Sequence, residues 1–458
     1  MSRVPCQAPI SGQKKMSNRG RARNASTQHT CGARARNARG MLAAVFAFLF
    51  AYAHAAVAET LVLLRPDAVF TAEDETRHVG WHVLVRDDRI AAVGPGLTVP
   101  ENAEVIDLPG TTLLPGLIDV HSHLFLHPYN EALWDHQVLR ESSAERTLRA
   151  GVQARSTLYA GFTSLRDLGT EGVGTADTAL KQAIEQSLIE GPRLQVATRA
   201  IVALGAYGPR RRDYAISSLP QGAEEASGVD GIVAAVRRQV ADGADWIKIY
   251  ADFELGRQGE TLPTFSAEEL KAAIDTAHAL GRKVAVHASA DVAMQRAANA
   301  RADTIEHGSA GTSATFELMR DRGTIYVPTL TQVEYYARYF EGYRPGETAT
   351  TPNMARSERA FRAARDAGVT IANGSDAGVY PHGENYRELQ WMVKLGMRPA
   401  EALLAATRTG ARVLGEEDIG RLAPGLIADI IAVQGDPVED IDAVSQVTFV
   451  MKGGERIR

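Results

Sequence analysis

Hydrophobic and polar positions follow two different rhythms along this chain of 458 residues. Between Thr60 and about Leu108, short runs alternate apolar with polar residues and are separated by turn residues. Alternation with a period of two predicts β-strands, and similar runs return near the end as ADIIAVQGDP and QVTFVMKGGERI. The first part is too small to bury a core alone. We therefore predict one small β-sandwich domain built from residues 59–112 and 415–458.

The middle of the chain, residues 113–414, alternates short apolar runs with Ala-rich segments of helical period. Eight runs are typical of strands: LIDVHSHL, FTSLRDLG, LQVATRAI, WIKIYAD, KVAVHAS, TIEHGS, IYVPTL and TIANGSD. The helix candidates between them include Asp230–Ala241, Ser266–Leu280, Asp291–Ala300 and Ser313–Arg322. Eight strand and helix units predict an α/β fold, a (β/α)8 TIM barrel. The alternative is a doubly wound open sheet, but no G-x-G-x-x-G motif follows an early strand.

The leader, residues 1–58, differs from the rest in charge. Residues 1–40 hold nine Lys or Arg, and no Asp or Glu occurs before Glu59. The apolar run MLAAVFAFLFAY begins at Met41, and the sequence AVA precedes Glu59. Such a pattern predicts a secretory signal peptide, so we expect an exported mature chain, periplasmic or secreted. A start at Met16 or Met41 would shorten the basic part, and a retained membrane anchor is the alternative, although the apolar run is short for a span.

Charge and cysteine content narrow the functions open to the rest of the chain. The formal charge of −5 includes the nine basic leader residues, so the mature chain is strongly acidic, which argues against nucleic-acid binding. The two cysteines, Cys6 and Cys31, both lie in the leader. The mature chain therefore has no disulfide, thiolate ligand or cysteine nucleophile. Any metal site must be built from His, Asp, Glu or a modified Lys.

Polar residues end several of the predicted barrel strands, at the face where the active sites of such barrels lie. The first strand carries His121 and His123, and residues at i and i+2 project to one face. The fourth strand places Lys248 and Tyr250 inward by the same period. A buried ammonium group is costly. Lys248 therefore either forms a structural ion pair or reacts with CO2 to give N6-carboxylysine, an anion with two oxygens able to bridge two cations.

Strands five, six and eight end in His287, His307 and Asp376. Singly, a histidine can pack in a core and an aspartate can cap a helix. Together with the residues of strands one and four, they form a set of nitrogen and oxygen donors that suits divalent metals, Zn2+ first. One ion needs three protein ligands and water, so six groups indicate two ions. With a Lys248 carbamate as the bridge, one ion would be held by His121, His123 and Asp376, and the other by His287 and His307.

These motifs resemble the amidohydrolase superfamily, in its binuclear, carboxylated-lysine type. The resemblance runs from PGLIDVHSHL through Lys248, His287, His307 and GSDAG to GRLAPGLIADIIAV, and is strongest to the imidazolonepropionase-like group, with its prolidase- and carboxypeptidase-type dipeptidases. It implies a metal-dependent hydrolase that cleaves an amide or peptide bond. Its nucleophile would be a hydroxide that bridges the metals, with Asp376 as general acid and base. It also implies a homo-oligomer.

Residues for substrate binding are sought at the same face of the barrel. Tyr250 either hydrogen-bonds the developing oxyanion or a substrate carboxylate, or simply packs. Further candidates are His127, His136, Arg210 and His382; an arginine suits a carboxylate, although three consecutive arginines are also typical of a solvated surface. We predict a small-molecule or short-peptide substrate, namely a dipeptide or an N-acyl amino acid with a free carboxylate. The alternatives are hydrolysis of a cyclic amide, lactone or phosphotriester, and a non-catalytic scaffold.

Overall fold

The structure is a computed structural model that describes residues 59–209 and 219–458. The predicted leader and Arg210 lie outside these ranges. The strands are β1 (Leu61–Phe70), β2 (Arg77–Val79), β3 (Trp81–Arg86), β4 (Arg89–Pro95), β5 (Glu104–Pro115), β6 (Leu117–Ser122), β7 (Phe162–Asp167), β8 (Arg193–Val196), β9 (Ile201–Ala203), β10 (Glu224–Ala226), β11 (Trp246–Tyr250), β12 (Asp252–Glu254), β13 (Thr261–Pro263), β14 (Lys283–Ala288), β15 (Thr304–His307), β16 (Ile325–Val327), β17 (Ile430–Gln434), β18 (Val447–Lys452) and β19 (Glu455–Arg456).

The helices are α1 (Trp134–Arg140), α2 (Ser143–Tyr159), α3 (Ala176–Glu185), α4 (Gly228–Ala241), α5 (Ala267–Ala279), α6 (Asp291–Asn299), α7 (Ser313–Arg322), α8 (Leu330–Phe340), α9 (Pro352–Ala367), α10 (Arg387–Lys394), α11 (Pro399–Ala405) and α12 (Arg408–Leu414), and a 3-10 turn spans Ile441–Ser445. The four predicted helices are confirmed as α4 to α7, with ends within two residues of those expected. Helix α5 begins with a capping box between Ser266 and Glu269. None of the helices in the described ranges is long and apolar enough to cross a bilayer.

Strands from the two ends of the described chain pair in one sheet. Its order is β19-β18-β17-β5-β1-β3-β4, and β2 pairs with β1. The two ends meet in the antiparallel pair of β5 and β17, where Leu114 faces Ile431. The predicted association of the two ends is therefore seen directly in their hydrogen bonds. The two-layered sandwich and the domain limits at residues 112 and 415 stay predictions.

Apart from the antiparallel pair of β12 and β13, the strands of the middle are parallel, and helices lie between most of them. The parallel strands form the orders β6-β7-β8 and β10-β9-β11-β14-β15-β16. Asp245, just before β11, joins the two groups, because its main-chain nitrogen donates to Val196 O at 2.8 Å and its side chain accepts from Val196 N at 3.0 Å. The central strands are buried along their length, as expected of parallel strands covered by helices. This is an α/β fold of the TIM-barrel type.

The eighth predicted strand, TIANGSD, is not a regular strand. It forms single bridges on two sides, from Ile371 to Tyr326 of β16 and from Ala377 to Ser122 of β6. Asp376 has a left-handed backbone with φ of 59°, which interrupts an extended conformation. The sequence pattern predicted the position of this segment, but the prediction of a regular strand was wrong.

Candidate metal centre

The carboxyl ends of the parallel strands bring the predicted ligands together. His121 Nε2 lies 3.5 Å and His123 Nε2 lies 3.4 Å from the same oxygen of Asp376, Oδ1. One ligand atom from each of these three residues can be chosen so that all lie within 4.8 Å of one another. The ring of His307 has its centroid 5.1 Å from that of His121 and 4.4 Å from that of His287. The four histidines and the aspartate therefore border one space.

Two of these residues have a left-handed backbone, His307 with φ of 70° and Asp376 with φ of 59°. In a regular strand the neighbours Glu306 and His307 would point to opposite faces. The left-handed conformation breaks that alternation, so both side chains reach His121. Such backbone strain costs about 1–3 kcal/mol per residue and is concentrated at functional sites.

Glycines on either side of Asp376 let its segment approach β6 closely. A Cβ atom on Gly374 would lie 2.8 Å from His121 Cβ, and one on Gly378 would lie 2.7 Å from His123 O. Gly378 also has a φ of 121°, which side chains disfavour. The small residues of the GSDAG motif are therefore needed where the chain places the carboxylate between two imidazoles.

Hydrogen bonds hold one ring nitrogen of His121 and of His123 and leave the other directed into the site. His121 Nδ1 lies 2.7 Å from Glu306 Oε2. His123 Nδ1 lies 3.0 Å from Gly169 O, and because a carbonyl can only accept, this nitrogen carries the proton. Both Nε2 atoms are then available as metal ligands, a pattern common around metal-binding histidines.

His307 and His287 follow the same pattern with different partners. His307 Nδ1 lies 2.7 Å from Thr329 Oγ1, which leaves its Nε2 for the site. His287 Nε2 faces Asp252 Oδ1 at 3.4 Å, and its buried Nδ1 has no hydrogen-bond partner among the described residues. All four imidazoles thus have one nitrogen facing a partner and one nitrogen left over.

The residues present fit divalent metals. Lys248 Nζ, His121 Nε2 and His287 Nδ1 are buried and have no hydrogen-bond partner in the described part of the chain. Lys248 also makes no ion pair with a described carboxylate, so the structural ion pair, one of its two interpretations, is not found there. Unpaired buried polar atoms are costly, and a cation among imidazole and carboxylate donors would satisfy them.

Burial sets the protonation of these groups. It lowers the pKa of His121 well below its ordinary value and that of His123 to about 3, so both imidazoles are neutral and able to bind metal. Burial also lowers the pKa of the Lys248 amine, which increases the neutral form that reacts with CO2. It raises the pKa of Asp376, a shift that a neighbouring cation would oppose.

Glu306 is a functional residue that sequence reasoning missed. It is fully buried, and besides contacting His121 it accepts from Arg166 Nη2 at 3.1 Å through Oε1. Arg166 is equally buried, and its guanidinium carbon lies 4.2 Å from the ring centroid of Trp246. This ion pair orients Glu306 and, through it, His121. Glu306 directly precedes His307 in the EHG sequence, which could have drawn attention to it. In a regular strand, however, only one of these two neighbours points inward.

We expect Glu306→Gln to weaken metal binding by about 10–100-fold, the usual cost of losing a carboxylate behind a histidine ligand. The amide keeps the shape but removes the charge that holds the His121 imidazole. Titration with a competing chromophoric chelator measures the affinity. Glu268→Gln, at an exposed position of α5, is the matched control and should leave it unchanged. Equal affinities in both variants would contradict the role of Glu306.

A pocket of about 290 Å3 opens onto the site, and its wall includes Tyr250. The Tyr250 ring stacks on His287 with centroids 4.5 Å apart. Its hydroxyl lies 3.4 Å from Glu171 Oε1, while Glu171 Oε2 accepts from Trp134 Nε1 at 2.9 Å and from the Tyr207 hydroxyl at 2.8 Å. The structure therefore brings Tyr250 to the pocket, with a weaker contact to Glu171 than the other two donors make.

Two of the predicted substrate residues, His127 and His136, do not line this pocket. His127 is buried between two carboxylates, with Nε2 2.9 Å from Glu141 Oε1 and Nδ1 3.1 Å from Glu131 Oε2. The side chain of His136 is 47% exposed and lies 4.0 Å from Glu141. The two carboxylates hold His127 in the loop after β6, whereas His136 lies on α1 and is partly exposed to solvent.

His382 is also outside the pocket lining, although it is close to the site in sequence. Its Nε2 lies 3.3 Å from Leu126 O. Burial lowers the pKa of His382 to about 4, so it is neutral and carries no charge for a substrate carboxylate.

A larger cleft of about 850 Å3 lies at the amino ends of the strands. Three of the four cations among its described lining residues are already paired: Lys181 with Asp245 at 2.8 Å, Arg193 with Asp429 at 3.0 Å, and Lys452 with a main-chain carbonyl at 2.6 Å. The fourth, Arg456, is exposed. Active sites of this fold lie at the other end of the strands. We therefore assign the chemistry to the smaller pocket.

Residues 112–457 match the model of the Amidohydrolase family, and the chain belongs to this family. It is 31% identical over 411 residues to ochratoxinase of Aspergillus niger, covering 81% of this chain and 82% of that protein. The crystal structure of a Xaa-Pro dipeptidase with bound methionine in the active site has a TM-score of 0.78 and 30% identity, covering 87% of this chain and 100% of that chain. The crystal structure of A. niger ochratoxinase has a TM-score of 0.73 and 26% identity, covering 87% and 96%. The predicted resemblance is confirmed, and the protein is a hydrolase of C–N bonds.

Proposed function

We propose that this protein is a metal-dependent amidase or dipeptidase that hydrolyses a dipeptide or an N-acyl amino acid with a free carboxylate. The observation that carries the proposal is the convergence of His121, His123 and Asp376 on the space that His287 and His307 border. The similarity to a Xaa-Pro dipeptidase supports a peptide-like substrate.

The ligands would divide into two sets, joined by the modified lysine. One divalent ion, Zn2+ by preference, would be held by His121, His123 and Asp376, and the other by His287 and His307. N6-carboxylysine at Lys248 would contact both. Its formation needs only CO2: the neutral amine attacks the carbon, a C–N bond forms while one C=O π bond opens and leaves its electrons on oxygen, and one proton leaves the nitrogen. The Lys248 Nζ is buried without a hydrogen-bond partner among the described residues and has a lowered pKa, and both observations support this modification.

When bound, the two ions supply a water activated at neutral pH and polarise the scissile carbonyl. Asp376 would accept the proton of the attacking water and deliver it to the leaving amine, acting first as base and then as acid. The Tyr250 hydroxyl would donate a hydrogen bond to the oxygen of the carbonyl as negative charge develops on it. Its 3.4 Å contact with Glu171 is long enough to be exchanged for that bond.

The place of action and the assembly belong to the same proposal. The basic leader, its apolar run and the AVA sequence support export, after which the enzyme would meet peptides outside the cytoplasm. We propose that it acts on small substrates without a nucleic-acid partner or lasting membrane insertion, and that it assembles as a homo-oligomer.

Turnover of a panel of substrates tests the function. The purified mature chain is incubated with Xaa-Pro and Xaa-Lys dipeptides, N-acyl amino acids, a lactone and a phosphotriester, and the products are identified by mass spectrometry. We expect hydrolysis in the first two groups, loss of activity on chelation, and recovery on adding Zn2+, Mn2+ or Co2+. Turnover confined to the lactone or the phosphotriester would reject the amide assignment, and full activity without metal would reject the mechanism.

A further inference from the structure

We propose that Arg356 forms the subsite for the substrate carboxylate, an inference that rests on the proposed function. The pocket at the metal centre has a single Lys or Arg among its described lining residues, and it is Arg356. None of the cations considered from the sequence within the described ranges reaches this lining. Among the described residues, the positive charge of the lining comes from a helix outside the predicted strand ends.

Helices α8 and α9 form one wall of the pocket. Helix α8 contributes Val333 and Tyr336, and α9 contributes Asn353, Arg356 and Ser357. Positions three and four apart share one face of a helix, so the three α9 residues present a continuous polar surface to the cavity. A guanidinium is thus placed on the same wall as apolar side chains, in the pocket that contains the candidate metal ligands.

The guanidinium of Arg356 is oriented but not neutralised. Its Nη2 donates to Asn353 Oδ1 at 3.1 Å, and Asn353 Nδ2 donates to Glu341 Oε1 at 2.6 Å. No carboxylate of the described residues forms an ion pair with Arg356. A guanidinium has five N–H donors, so those left over can bind a planar carboxylate with two parallel hydrogen bonds.

The charge of Arg356 suits an anionic group in the part of the pocket away from the metals. Two carboxylates, Glu171 and Asp376, also lie on the lining, but Glu171 accepts hydrogen bonds from Trp134 and Tyr207, and Asp376 is a candidate metal ligand. The metal centre would then take the scissile amide, while Arg356 would take the free carboxylate and fix which bond lies at the metals.

Binding of two matched compounds tests the subsite. The apolar part of the wall, including Tyr207, Phe253 and Tyr336, suits an aromatic side chain, so the probes are N-methylsulfonyl-L-phenylalanine, which has no acyl group to hydrolyse, and its neutral amide. Calorimetry on the metal-loaded full-length protein measures both affinities. We expect the wild type to bind the acid about tenfold or more tightly than the amide, as a charge-assisted pair provides.

Arg356→Gln should remove this preference by weakening the acid alone, and Arg356→Lys should keep part of it. Arg359→Gln, an exposed arginine of the same helix outside the pocket lining, is the matched control and should bind as the wild type does. An undiminished preference in Arg356→Gln, or equal binding of acid and amide by the wild type, would overturn the subsite. Failure to hydrolyse any dipeptide or N-acyl amino acid would instead refute the proposed function, because these affinities are read without turnover.

Discussion

Lys248→Ala is expected to lose bound metal and to lower kcat/KM at least about 100-fold. Loss of a residue that only hydrogen-bonds a metal ligand already lowers metal affinity or activity by about 10–100-fold. Lys248 is proposed as the ligand shared by both ions, so its loss should cost more. Its Nζ is fully buried and has no hydrogen-bond partner among the described residues, so the alanine breaks no hydrogen bond within them. Metal per chain by mass spectrometry and steady-state rates measure the two losses.

A carboxylate from solution provides the sharper form of this test. The space left by the alanine should admit acetate or propionate, which would restore part of the metal content and part of the rate. Lys271→Ala, at a position whose side chain is 63% exposed, is the matched control and should respond to neither treatment. Normal metal content and rate in Lys248→Ala without added carboxylate would remove the bridge from the mechanism.

Asp376→Asn should separate metal binding from catalysis. The amide oxygen can still contact an ion, and four histidines remain, so we expect most of the metal to be retained. The amide cannot accept a proton, so kcat should fall by about 10²–10⁴-fold, the usual contribution of a general acid and base. Metal content and kcat are measured on the same preparation. An unchanged kcat would reject Asp376 as the base, and Asp275→Asn, an exposed aspartate of α5, should leave both quantities unchanged.

The fold was predictable wherever the spacing of hydrophobic residues in the sequence matches the burial of those residues in the structure. The runs of β6, β11 and β14 are mainly apolar because parallel strands are buried on both sides, and the capping box at Ser266 marked the start of α5. The segment after Ala367 followed the same apolar pattern and was wrongly predicted as a regular strand. Its shape depends on the left-handed Asp376 and on bridges to two distant strands, which local pattern does not encode.

The candidate metal ligands were predictable because one rule, the meeting of strand ends at one face, applies to all of them. Glu306 and Arg356 escaped for different reasons. Glu306 acts at His121 only because the backbone at His307 turns left-handed. Arg356 reaches the pocket from α9, well after β16, and no strand period points to it. In contrast, His127 was predicted as a substrate-binding residue from its position after the first barrel strand. Its contacts with Glu131 and Glu141 explain its burial instead.

The pairing of β5 with β17 has a consequence for synthesis. Gly110 and Gln434, which the hydrogen bonds of this pair bring together, are 324 positions apart, so the edge of β5 stays open until β17 has been synthesised. An open strand edge is a template for aggregation. The nascent chain therefore carries an unpaired edge at β5 until β17 is made. A ribosome that stalls before residue 430 would release a product prone to self-association.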